Sequence, residues 1–166
     1  VECEKKFSGL LLAVVRPEEL ALRWNGYEIP IPHREERGWY VDPAIETLPL
    51  PPARAGENLL EITMPFGLRS NPEWCYILGD FGVKVRGARS VLTRPPETLA
   101  FGSVVPQGLP FYGGNITYHI PIELPREAKG LRIAATHFRG ALVTASARPA
   151  EGAEGDNGRA GKEISL

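Results

Sequence analysis

The chain has 166 residues, enough for one ordinary domain or two small ones with a real core. Lys and Arg number 19 against 20 Asp and Glu, a net charge of -1 with the signs interspersed, which favours neither nucleic acid nor an anionic membrane as partner. Hydrophobic residues make up 43%, so the chain is globular, and 16 Pro with 18 Gly, which end helices and punctuate strands, push its class towards β.

The longest apolar run, Leu10 to Val15, is bounded by Gly9 and Arg16-Pro17. It is far too short to span a bilayer and short enough for a buried strand. No signal peptide precedes it, so the chain reads as soluble, leaning towards the cytoplasm. Leu20-Ala-Leu-Arg-Trp24 and Tyr27-Glu-Ile-Pro-Ile31 flank Asn25-Gly26. Both turn residues tolerate positive φ, which makes this a type I′ hairpin. The charged stretch His33 to Gly38 predicts a solvated loop, and Trp39-Tyr-Val41 a short aromatic strand ended by Asp42-Pro43. Between Pro43 and Pro52 only an edge strand around Ile45 to Leu48 is expected, because proline cannot donate to a ladder.

After the Gly56-Glu-Asn58 turn, Leu60, Ile62 and Met64 alternate with Glu61 and Thr63 as a half-buried strand. Val83-Lys-Val85 and Ser90-Val-Leu-Thr93 are short strands about the Gly87 turn. Residues 94–114 carry Pro95, Pro96, Pro106 and Pro110 with four glycines, which excludes a helix and predicts a long loop or connection. Three further strands are expected over Asn115–Leu124, Leu131–Phe138 and Ala141–Ala147. No window shows a helical period, so the predicted fold is all-β, a β-sandwich. The domain reading is a sandwich unit over 1–87, a Pro/Gly-rich connection over 88–114, a partial second unit over 115–148 and a disordered tail over 149–166. A single sandwich drawing strands from both segments is the alternative. Cys3 and Cys75 are expected to be free, buried thiols.

The order Phe7, Leu10-Leu-Leu-Ala-Val14, Asn25-Gly26, Gly38-Trp-Tyr-Val-Asp42, Gly56-Glu-Asn-Leu-Leu-Glu-Ile62 resembles the sugar-binding, galactose-binding-like jelly-roll domain of the β-galactosidase and β-glucuronidase superfamily, glycoside hydrolase family two. Trp74 to Gly82 and Gln107 to Tyr118 are similar to bacterial proteins that carry this domain, and Gly114-Asn-Ile-Thr-Tyr118 looks like the opening strand of a second copy. The resemblance covers roughly residues 1 to 147. It implies a non-catalytic accessory module, for carbohydrate binding or scaffolding, and a piece of a larger protein whose partner is the catalytic barrel of a parent glycoside hydrolase. It implies no cofactor, and leaves room for a structural calcium ion, for which no dedicated loop is present. A stand-alone β-sandwich that recruits a partner protein is the alternative function.

Sugar recognition needs flat rings with amides or carboxylates beside them. Trp74, Tyr76, Tyr112 and Asn115, with Phe111, lie in or beside the long loops and are the carbohydrate-binding candidates, although rings in such loops also serve to pin the loop down. No catalytic residue is assigned. A retaining glycosidase needs two close carboxyl groups; Asp42, Glu73 and Asp80 are the only ones in suitable surroundings. Asp42 and Asp80 also have a simpler role in ordering their turns. A hydrolase working through Glu73 and Asp80 is therefore the least favoured reading. His33, His119 and His137 show no metal-ligand spacing, and no nucleotide or nucleophile-elbow motif occurs.

Overall fold

The computed structural model describes residues 1–68, 75–125, 127–134, 142–147 and 163–165. The protein is all-β: among the described residues the only helical turns are three-residue 3-10 segments at Pro17–Glu19, Arg34–Glu36 and Val105–Gln107. None of them is long and apolar enough to cross a membrane. Two compact units are present, Val1–Gly114 and Asn115–Leu166.

In the first unit the strands are β1 (Glu2–Cys3), β2 (Leu11–Val15), β3 (Ala21–Trp24), β4 (Tyr27–Glu28), β5 (Gly38–Tyr40), β6 (Asp42–Pro49), β7 (Gly56–Glu57), β8 (Leu60–Thr63), β9 (Tyr76–Leu78), β10 (Gly82–Arg86) and β11 (Arg89–Thr93). They form three sheets, ordered β10-β11-β1-β7, β5-β6-β2-β9 and β4-β3-β8. All pairings are antiparallel except β1 with β11. One apolar cluster joins the sheets, in the manner of a sandwich. Cys3 and Leu92 come from the first sheet, Leu12, Val14 and Leu48 from the second, Leu22 and Trp24 from the third, with Phe7, Leu10, Ile29, Leu50 and Ala53 from the joints. Each fully buried Leu, Ile or Trp here removes enough apolar surface from water to stabilise the fold by roughly 1.5–3 kcal/mol.

The turns follow from the local sequence. Asn25 and Gly26 sit at φ 53° and 85°, both left-handed, and close the β3–β4 hairpin as expected. The Asn25 amide then reaches a second turn: its Nδ2 donates to Asn58 Oδ1 at 3.0 Å, and its Oδ1 accepts the Leu59 N–H at 2.9 Å. Asn58 is buried and uses its whole side chain. Oδ1 also accepts from Arg54 N, and Nδ2 donates to the carbonyls of Arg54 and Gly56. The hairpin signal and the Gly56-Glu-Asn58 signal are thus two halves of one bracket.

Several expectations change. The segment with Pro43 and Pro49 forms the long strand β6, and it lies inside its sheet between β5 and β2 rather than at an edge. The prolines stand at its two ends, so the ladder from Ala44 to Leu48 keeps its donors. Arg34 to Glu36 is a 3-10 turn whose neighbour Arg37 is folded inward, donating to Glu46 Oε2 at 2.5 Å, to Glu18 Oε2 and to the Pro32 carbonyl. The hydrogen bond to Glu46, more than any other influence, raises the Arg37 guanidinium above its ordinary pKa. Glu18 is held below the usual carboxylate value by its own backbone amide and then by Arg37. That contribution is present above the ordinary glutamate pKa and is lost as pH falls through the lowered one. On β8, Leu60 packs on the core while Ile62 is exposed, so the expected half-buried face is only partly covered. Cys3 is a free buried thiol whose pKa is raised by desolvation, whereas Cys75, also free, is exposed rather than buried.

The boundary expected at residue 87 falls in the turn between β10 and β11. The first unit continues through β11 and residues 94–114 to Gly114. In the second unit the described parts of the strands expected over Asn115–Leu124 and Leu131–Phe138 have no ladder. Ile120, Ile122, Leu124, Leu131 and Ile133 are exposed, and alternation alone cannot make a strand without a neighbour to pair with. The third shortens to β12 (Thr144–Ser146), which pairs antiparallel with β13 (Glu163–Ser165). The tail expected to be disordered therefore contains a strand.

Candidate binding groove

The strand β10 ends its sheet, so one row of its backbone groups faces away from β11. Which residues own that row follows from two hydrogen bonds. Val83 N donates to Gly108 O at 2.7 Å, outside the sheet, and opposite Val83 the Leu92 carbonyl turns away to accept Glu4 N. Val83 and Leu92 are thus a non-hydrogen-bonded pair, and two residues on, Val85 presents its N–H and C=O to the same open side.

Beside this edge stands the Pro-rich loop of residues 94–110. Gln107 holds its shape: Oε1 accepts Ala100 N at 2.7 Å while Nε2 donates to the Ala100 and Ser103 carbonyls. Gly108 turns at φ 94° and delivers its carbonyl to Val83. The loop lies so close to β10 that a Cβ on Gly82 would sit 2.7 Å from Arg94 O and 3.1 Å from Gly108 O. Both are backbone atoms with little freedom to move. Gly82→Ala is expected to cost roughly 1–3 kcal/mol, the usual penalty for forcing atoms into a packed site. It should also speed exchange of the Val83 amide by prising Gly108 away. A melting curve with amide exchange checks this, and an unchanged Val83 protection would refute the close approach.

Between β10 and the loop runs a groove of about 800 Å³, lined by Glu4, Val83, Lys84, Val85, Arg86, Thr93, Arg94, Pro96 and Val105 to Gly108, with Pro110. Lys84 and Arg86 share one face of β10 by alternation, and Arg94 enters at the loop's root. Three cations and the single anion Glu4 line the groove, a local excess of +2 in a chain whose net charge is -1. None of the three makes a salt bridge among the described residues. An anionic, extended ligand is what such a groove can hold.

The residues proposed from sequence are scattered. Tyr112 follows the groove's Pro110 by two positions and is half exposed, and its neighbour Phe111 is largely exposed at 70%. Tyr76 lies on β9 in a different sheet, and its ring meets Tyr40 at 5.5 Å. By register the row Gly38, Thr47, Ala13, Tyr76 shares that face. Asn115 opens the second unit. Trp74, Glu73 and His137 lie outside the described residues. Asp42 does what its turn role asked, accepting Ala44 N at 2.7 Å. Asp80 is exposed in the bend before β10 and makes no hydrogen bond among the described residues. Among the described residues no three metal-ligating side chains gather. Lys84, Arg86 and Arg94 escaped notice in the sequence because alternation with Val83 and Val85 marks only a strand. Compared with known proteins, the chain matches no family model, no curated protein and no solved structure.

Proposed function

We propose that this chain is a binding module, with no chemistry of its own, whose ligand lies in the groove between β10 and the 94–110 loop. The observation that carries this is the unpaired cationic trio Lys84, Arg86 and Arg94 set along an open strand edge beneath a braced loop. Like charges gathered along a shaped surface attract and orient a partner of opposite charge. A titration of acidic and basic peptides and of charged oligosaccharides tests it. Lys84→Glu with Arg86→Glu should weaken binding of anionic ligands at least tenfold and leave the melting temperature nearly unchanged, since both side chains are exposed. Equal binding by wild type and double variant would sink the assignment.

A second reading is an accessory, carbohydrate-contacting module of a bacterial glycoside hydrolase, supporting its barrel. It is supported by the order of motifs that resembles the galactose-binding-like jelly roll. It is supported also by the exposed rings of Phe111 and Tyr112 directly after the groove wall, where a pyranose could stack. In the same titration this reading expects a neutral oligosaccharide to bind and Phe111→Ala with Tyr112→Ala to abolish it. Neutral sugars that fail to bind would leave only the scaffolding role.

A further inference from the structure

Resting on the binding-module reading, we propose that the groove's ligand is an acidic peptide segment that adds to β10 as an extra strand. The open edge begins where the loop stops: Gly108 O takes the Val83 N–H, so the loop already supplies the first hydrogen bond of a strand in that position. Beyond it the Val83 carbonyl and the N–H and C=O of Val85 remain for a visiting backbone.

The strand chemistry matches the side chains. Val85 is 51% exposed on one face of β10, while Lys84 and Arg86 stand on the other. A peptide with alternating apolar and acidic residues would set its apolar side chains beside Val85 and its carboxylates beside Lys84 and Arg86. A short exposed edge is commonly protected by positive charge against unwanted pairing. Here the same charge selects an acidic partner over a neutral or basic one. An anionic polysaccharide satisfies the charge but has no amide backbone to meet Val85.

The probe is an alternating Glu-Val heptapeptide, titrated into the full chain by fluorescence anisotropy, with a Lys-Val heptapeptide and an oligogalacturonate as comparisons. The Glu-Val peptide should bind and the Lys-Val peptide should not. Raising salt from about 0.05 M to about 0.5 M should weaken binding about tenfold, because the exposed charges are then screened. In the unmodified protein the Val85 amide should become at least tenfold slower to exchange when the peptide is bound. Val85→Pro removes that N–H without touching the β11 ladder and should weaken binding tenfold or more at unchanged melting temperature.

Peptide binding that leaves Val85 exchange unaltered, or that treats the Glu-Val and Lys-Val peptides alike, overturns strand addition. If the oligogalacturonate binds and loses affinity in Lys84→Glu with Arg86→Glu while the peptide does not bind, strand addition fails and the binding groove stands. If no anionic probe binds, both fall.

Discussion

Replacing Asn58 with alanine is expected to destabilise the first unit by about 2–6 kcal/mol, since each intramolecular hydrogen bond contributes about 0.5–1.5 kcal/mol and the side chain makes four. That is a large fraction of the 5–15 kcal/mol that holds an ordinary domain together. The loss is concentrated because Asn58 is 3% exposed and alanine abandons four partners at once: Arg54 N–H, the Arg54 and Gly56 carbonyls, and the Asn25 amide. Asn25 would also lose the partner that holds its Oδ1 on Leu59 N–H. A chemical denaturation curve measures the change.

Asn58→Asp separates hydrogen bonding from volume. The new carboxylate would keep an oxygen on Arg54 N and turn the other towards the carbonyls of Arg54 and Gly56, where only a donor fits. Ionisation is therefore disfavoured in the folded state, and the folded pKa rises above the unfolded one. A raised folded pKa gives stability below the unfolded value, about 3.9 for aspartate, and loses it as pH rises. The variant should approach wild type in acid and fall furthest behind it at neutral pH. A pH-independent deficit would mean that the bracket is packing rather than a set of hydrogen bonds.

The same bracket shows how far sequence carries. Asn25-Gly26 names its own turn because positive φ is a local demand, and Leu10 to Val15 names its own strand because Gly9 and Arg16 stand left-handed on either side. Gly87 does the same for the β10–β11 hairpin. What local chemistry cannot name is the neighbour. Glu2 pairs in parallel with Val91 across nearly the whole first unit, and β6 lies inside its sheet only because β5 folds back upon it. Ile120, Ile122 and Leu124 carry the right alternation for a strand and have no ladder, since periodicity supplies a face and not a partner. The groove escaped for the same reason. Lys84, Val85 and Arg86 become a site only when β10 ends a sheet and residue 108, some two dozen positions later, covers its first hydrogen bond. The aromatic candidates are expected in or beside the long loops, and Tyr76 stands at the start of β9 with its ring against Tyr40, a contact no local signal announces.

Trp24 makes the other large effect, and a contrast between two substitutions exposes its cause. The indole is 2% exposed in the cluster that joins the three sheets, so Trp24→Ala should cost about 3–5 kcal/mol through lost burial and a cavity that the surrounding strands cannot fill. Its Nε1–H is buried with no acceptor, the sole side-chain group in that state among the described residues. An unpaired buried donor carries a desolvation penalty of about 1–3 kcal/mol. Trp24→Phe removes that donor along with one ring of volume, so the two contributions oppose each other. The phenylalanine variant should stand much nearer wild type than the alanine variant, at a deficit below about 1.5 kcal/mol, where the volume change alone would place it near 2 kcal/mol. Paired denaturation curves at one pH decide the matter. If Trp24→Phe falls midway to Trp24→Ala, the donor has no penalty to relieve and volume alone governs the core.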